Sequence, residues 1–226
     1  MVGEFVPHRQ VRSERVHMSN QALGQAEEPR EPWKTIPIGD EWSNKFRAFR
    51  ISAFRLETLQ AYAEPNESSP FHQYLRGANP PPSWTQEWCE MVENHVASGR
   101  SMRRIHVVDV PLSDYMKFEI KCCYVYTGAS GENIRLVDRA KLSPELQALT
   151  REDFWLFDAS MVMVNDYDQS GALYQARISS SPEVVARYQG IEQRVWDRGV
   201  PFADFYREVS GESLELIKRG PRERWE

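Results

Sequence analysis

Two β-branched stretches, SMRRIHVVDVP and ENIRLVDR, flank a run, PLSDYMKFEIKCCYVYTG, that reads as a helix. This strand–helix–strand order is the feature that most constrains the fold. Two strands joined through a crossover helix lie parallel, and the crossover is right-handed. Ile105, Val107 and Val108 favour an extended chain and Pro111 ends it. Ser113 is placed to cap the helix, and Asp114 suits its positive N-terminal end. Tyr115, Phe118, Ile120 and Cys122 supply the apolar surface.

Three more strands follow as a meander: DFWLFD, SMVMVNDYD and GALYQARIS, the last two joined by a turn at 168–171. The stretch SPEVVARYQGIEQRVW then reads as a helix, with Pro182 in its first turn and Val184, Val185, Tyr188, Ile191, Val195 and Trp196 as its buried stripe. Ahead of the first strand lie two helical patterns, SSPFHQYLRG and PSWTQEWCEMVENHVASG. The segment KFRAFRISAFRLETLQAY has mixed apolar spacing and no clear period. The class is α/β (α+β): a mixed sheet with flanking helices and an N-terminal helical segment. Residues 1–40 are polar and proline-dotted and read as a mobile tail. Residues 41–210 read as one domain, and 211–226 as a charged C-terminal tail.

Charge and cysteine narrow the function. The formal net charge is −5, from 28 basic and 33 acidic residues. Nucleic-acid binders carry a basic excess, so no nucleic-acid partner is expected. No run is long and apolar enough for a membrane span. The three cysteines are odd in number and two are adjacent, which fits reduced thiols in a cytoplasmic protein. With no Cys-x-x-Cys pair and scattered histidines, no metal site or cofactor is expected.

Several constellations can carry chemistry. Arg100, Arg103, Arg104 and His106 cluster at the start of a strand, with Arg104 and His106 on one face and Arg103 on the other. They read either as an anion site near the helix beginning at 113 or as a solvated strand edge. Ser113, His106 and Asp109 do not make a nucleophilic triad, because the Gly-x-Ser-x-Gly elbow is missing. The candidate catalytic set is His106 as acid or base with Asp114 or Glu119 as partner. The stretch REDFWLFDAS closes an apolar strand between Arg151, Asp153 and Asp158, and an ion pair of Arg151 with Asp153 or a neighbour would account for the first two. Asp158 would then open the next turn.

The string FRLETL … PLSDYMKFE … IRLVDR … DFWLFD … ARYQ resembles a family of actinobacterial domains with no assigned activity, over about residues 46–206. Members encoded near helix-turn-helix regulators imply a regulatory setting. The element order over residues 103–198 is also similar to a phospholipase D-like half-domain. That superfamily carries His-x-Lys and, four residues on, Asp. Laid on this chain, the Asp falls on Asp158, the Lys place on Asp153 and the His place on Arg151. Arginine cannot serve as the nucleophile, and an aspartate repels phosphate, so the resemblance implies a degenerate site without phosphodiesterase activity. Arg104, Arg151, Asp153 and Asp158 are the candidate ligand-binding residues. The expected function is a non-catalytic sensing or protein-interaction module, accessory to a transcriptional regulator, whose partner is a protein or a small molecule. The alternative is a tailoring or hydrolytic enzyme of a biosynthetic cluster that uses His106 with nearby carboxylates.

Overall fold

Every strand among the described residues, 32–216, joins one sheet in the computed structural model. The chain runs β1 (Lys34–Pro37), α1 (Asp40–Ala48), β2 (Ser52–Glu57), α2 (Ser68–Leu75) and α3 (Gln86–Ala97), the last entered through a 3-10 turn at Pro82–Thr85. β3 (Ser101–Val108) leads into α4 (Asp114–Glu119), a π-helical segment (Ile120–Tyr124) and α5 (Val125–Ser130). Then come β4 (Asn133–Asp138), α6 (Pro144–Leu149), β5 (Asp153–Phe157), β6 (Met161–Tyr167), β7 (Leu173–Ser179), α7 (Pro182–Trp196), β8 (Val200–Pro201) and α8 (Phe202–Ser210).

The strand order is β1-β7-β6-β5-β2-β3-β4-β8. β2, β3 and β4 are parallel, and every other pairing is antiparallel. The expected parallel pair around a crossover helix is therefore β3–β4, and the expected meander is β5–β6–β7. Ser113 caps α4 as expected, accepting the Met116 N–H.

Side chains alternate across each strand, so the sheet has two unlike faces. One is largely apolar. Phe54, Leu56, Ile105, Val107, Phe154, Leu156, Val162 and Val164 pack there against Leu142 and Leu146 near α6 and against Val185, Tyr188, Ile191 and Val195 of α7. Burying each such side chain contributes about 1.5–3 kcal/mol. The other face holds two separate cores. Ala53, Met102, Trp155, Phe157 and Met163 meet Phe46 of α1 and Val92 of α3. Val108, Ile134 and Leu136 meet Met116, Phe118 and Tyr124 of the α4–α5 helix and Phe205 of α8.

Three expectations need correction. The stretch before position 40 is not all tail, since β1 pairs with β7 and Ile36 is fully buried; residues 1–31 lie outside the described part. The N-terminal segment is not only helical, because KFRAFRISAFRLE folds as the end of α1 followed at once by β2, and the change of period accounts for its mixed spacing. Trp196 is half-buried rather than part of the closed stripe, lying against Arg135 (4.4 Å) and Arg103 (4.9 Å).

Candidate functional site

Between the two cores of the second face, the sheet turns polar. Arg55 and Glu57 of β2 sit beside Arg104 and His106 of β3 in register, and Asp153 of β5 pairs with Asn165 of β6. Helices cover this band, so the charges must neutralise one another. Glu57 accepts from Arg104 Nη1 at 2.9 Å and lies 2.9 Å from Arg55 Nη2. Arg104 Nε donates to Glu132 at 2.8 Å. Burial resists ionisation of Glu57, but Arg104 and Arg55 outweigh it and hold the carboxyl down at about 2.

A cavity of about 270 Å³ opens over this band. The sheet contributes Arg55, Glu57, Arg104, Asn165 and Tyr167, and the α4–α5 helix contributes Tyr115, Glu119 and Cys123. Trp42 of α1 and Trp84 and Trp88 at α3 form an aromatic wall, and the loop after β2 brings Tyr62, Glu64 and Glu67. The π-helical segment falls between Glu119 and Tyr124. Its wider turn brings residues five apart onto one face. Glu119 thereby reaches the cavity while Tyr124 reaches His106 (2.8 Å), with its hydroxyl 3.2 Å from Glu57. The loop is held down by Gly171, whose carbonyl accepts from Ala63 N–H at 3.0 Å. Gly171 has φ +86°, and a Cβ there would come within 2.9 Å of the Ala61 carbonyl. Only glycine meets both demands.

The cavity carboxyls differ in proton affinity. Burial, with Glu67 and Glu57 nearby, holds Glu119 protonated well above the usual carboxylate range. Glu67 is pushed up to about 7 by burial, against the hydrogen bond it accepts from the Tyr115 hydroxyl at 2.5 Å. Three polar atoms of cavity-lining residues are buried without a hydrogen-bond partner: Arg55 Nε, Trp84 Nε1 and Glu119 Oε1.

The sequence candidates scatter around this site. Glu119 and Arg104 line the cavity. Arg104 and His106 are buried in an interior strand, so the cluster is neither a solvated edge nor an open anion site. Burial lowers His106 below its usual range, so the ring is neutral. Nε2 then donates to the Leu59 carbonyl at 2.7 Å, and Nδ1 accepts from the Tyr124 hydroxyl. His106 does not line the cavity, and both its nitrogens are engaged. Asp114 is exposed and pairs with Lys117 at 3.1 Å, apart from His106 and Glu119.

Asp153 lies behind the cavity wall. It accepts from the Thr58 N–H (2.9 Å) and hydroxyl (2.7 Å) and from the Tyr62 hydroxyl (2.5 Å), while Arg151 is exposed. The expected Arg151–Asp153 explanation gives way to these bonds. Burial raises Asp153 to about 6 despite Arg55. Asp158, past the far end of β5, starts the turn as expected, with φ +52°. Its carboxylate accepts the backbone N–H groups of Arg50, Ile51 and Ser52, so it anchors the entry to β2 rather than a ligand. Arg55, Glu57 and the tryptophan wall escaped the sequence reading. The spacing of Arg55 and Glu57 two apart in FRLETL was the available signal. Among the described residues, no group of three or more His, Cys, Asp and Glu is placed to hold a metal ion.

No curated protein matches the chain in sequence. Among solved structures, it is similar to Nuc, a phospholipase D family member from Salmonella typhimurium, at 9% identity and TM-score 0.46, covering 75% of this chain and 95% of that one. It is similar also to NucT from Helicobacter pylori, at 8% identity and TM-score 0.45, covering 75% and 98%. A third is TrmBL2, described as an archaeal chromatin protein with a novel mode of DNA binding, at 9% identity and TM-score 0.40, covering 78% of this chain and 56% of that one. The expectation of no nucleic-acid partner is withdrawn; it rested on net charge. The net charge is a sum over the whole chain and does not report how charge is distributed over the surface. The mixed α/β sheet with flanking helices is the class expected from the element order. No helix among the described residues is long and apolar enough to cross a membrane. Residues 40–207 match the family described as a domain of unknown function (DUF6879), and the chain belongs to that family.

Proposed function

We propose that this chain is a non-catalytic sensing module that takes a small molecule into the cavity over the polar band. The observation that supports it is the lining itself: an aromatic wall facing a neutralised arginine–glutamate network, with Glu119 Oε1, Arg55 Nε and Trp84 Nε1 unpartnered in the protein. A buried polar atom without a partner costs about 1–3 kcal/mol, which a bound ligand would recover. The hydrolytic alternative draws less support. Its base, His106, is enclosed and fully hydrogen-bonded, and Asp114 faces solvent. The setting proposed with it is cytoplasmic and actinobacterial, with the occupied state read by a protein such as a transcriptional regulator. Three unpaired cysteines suit a reducing compartment.

The test is a thermal-shift screen of the full chain against amino acids, sugars, organic acids, free nucleobases and inorganic phosphate, repeated with Glu119→Leu. A rise in melting temperature with one class, absent in the variant, is the expected outcome. A flat response to every class, or a rise that survives Glu119→Leu, refutes the cavity as the site.

A further inference from the structure

Resting on the reading that the cavity takes a small molecule, we propose that its ligand is a neutral, flat heteroaromatic ring with a lactam-type edge, of the free-nucleobase kind. Four observations converge on this chemistry. The first is size. At about 270 Å³ the cavity falls just under the roughly 300–1,000 Å³ of pockets for drug-sized ligands, which suits one compact ring system rather than an oligomer.

The second is the wall. Trp42, Trp84, Trp88, Tyr62, Tyr115 and Tyr167 give the cavity aromatic surface on several sides. Such surface is matched by a ligand with a π face, since stacked rings gain beyond their buried area.

The third is charge. The guanidinium groups of Arg55 and Arg104 are matched by Glu57 and Glu132 at 2.8–2.9 Å. A phosphate or carboxylate ligand would find its cations already taken and would face Glu57. A neutral molecule avoids that penalty.

The fourth is the count and kind of unpartnered atoms. Arg55 Nε and Trp84 Nε1 can only donate. Glu119, 5% exposed and carrying a proton, can donate through one oxygen and accept through the other. A ring carbonyl and its adjacent N–H use two donors and a donor–acceptor group. A sugar brings a hydroxyl on nearly every carbon, each seeking partners, and three atoms would leave most of them unmet. An amino acid brings a carboxylate that would face Glu57 with the arginines already paired.

The experiment titrates the full chain with hypoxanthine and uracil, and in separate arms with glucose and inorganic phosphate, by calorimetry and tryptophan fluorescence. One-to-one binding of hypoxanthine or uracil is expected. Trp84→Phe keeps an aromatic face but removes the N–H together with part of the stacking surface, and affinity should fall at least roughly tenfold. Glu119→Leu should give a similar loss. Glu119→Gln preserves a neutral donor and acceptor and should stay within about threefold of the native chain. Circular dichroism and melting temperature of each variant separate lost binding from lost folding.

Failure of both bases to bind overturns the proposal, as does binding that Trp84→Phe and Glu119→Leu leave unchanged. Binding of glucose or phosphate that disappears in Glu119→Leu overturns the ring class and leaves the small-molecule cavity standing. Silence in every arm, joined with a flat thermal-shift screen, removes both readings.

Discussion

Glu57 holds the site together at the scale of a single residue. Among the described residues it is the only carboxylate in contact with both Arg55 and Arg104, and it is almost wholly buried. Removing its charge takes away the carboxylate that Arg55 pairs with and leaves Arg104 with Glu132. Glu57→Gln should therefore cost about 3–5 kcal/mol, measured by urea denaturation, because breaking a buried pair strands the remaining charge. A loss under 1 kcal/mol would mean that water reaches the arginines. Half of this residue pattern was legible in the sequence. Alternation alone placed Arg104 and His106 together and sent Arg103 to the other face, where it lies against Phe54 and Trp196 and pairs with Glu192. Arg55 and Glu57 obey the same rule, but β2 is six residues long and abuts α1, so neither period runs long enough to declare itself. Asp158 was read as a ligand-binding acid because it falls on the acidic place of the resembled motif; only three-dimensional proximity reveals that three backbone N–H groups converge on it.

Among elements, β1 is the shortest piece of evidence for its own importance. KTIP is four residues with a proline, too brief to show alternation, yet Ile36 is fully buried beside Phe46 and Met163. Ile36→Ala should destabilise the protein by about 2–5 kcal/mol in chemical denaturation, the range for truncating a buried aliphatic side chain. A variant within about 0.5 kcal/mol of the native chain would return this stretch to the tail. The π-helical segment was equally hidden. PLSDYMKFEIKCCYVYTG reads as one helix from its cap and apolar residues, and an extra residue in one turn changes neither signal. The meander, by contrast, announced itself through its turns: Asp168 Oδ1 accepts from Ser170 and Ala172 N–H, the local bonding that an Asp-x-Ser-Gly turn offers.

For the whole molecule, acid–base behaviour follows from buried groups of opposite sign. Burial lifts Asp153 to about 6 and Glu67 to about 7. Such a group binds more protons folded than unfolded. Its contribution is complete below the unfolded value, near about pH 4, and is lost as pH rises through the folded value. Glu119, raised further, extends that loss to higher pH. His106, lowered by burial, acts with the opposite sign, adding stability as pH rises towards the unfolded value near about 6.5. Glu57, held low, also acts with that sign, and only below about pH 4.5. Calorimetry of the native chain beside Asp153→Asn isolates one share: relative to the native chain, the variant should lose the fall in melting temperature between about pH 4 and pH 6. Two parallel profiles over this range would contradict the Asp153 assignment.

The division of one sheet face into two apolar cores has a mechanical meaning. α1 and α3 are gripped by one core, the α4–α5 helix and α8 by the other, and both rest on the same eight strands. Where the two layers adjoin, polar contacts link them: Ser130 Oγ to Glu93 at 3.2 Å, and Trp88 Nε1 to Glu132 at 3.4 Å. Trp84, stacked on Phe118 at 5.3 Å, bridges them as well. The polar band is then a seam, and the layers are two leaves bound to one stiff spine. Under the proposed function, a guest that entered by parting the leaves would break these few contacts, while the spine and the face behind it kept their shape.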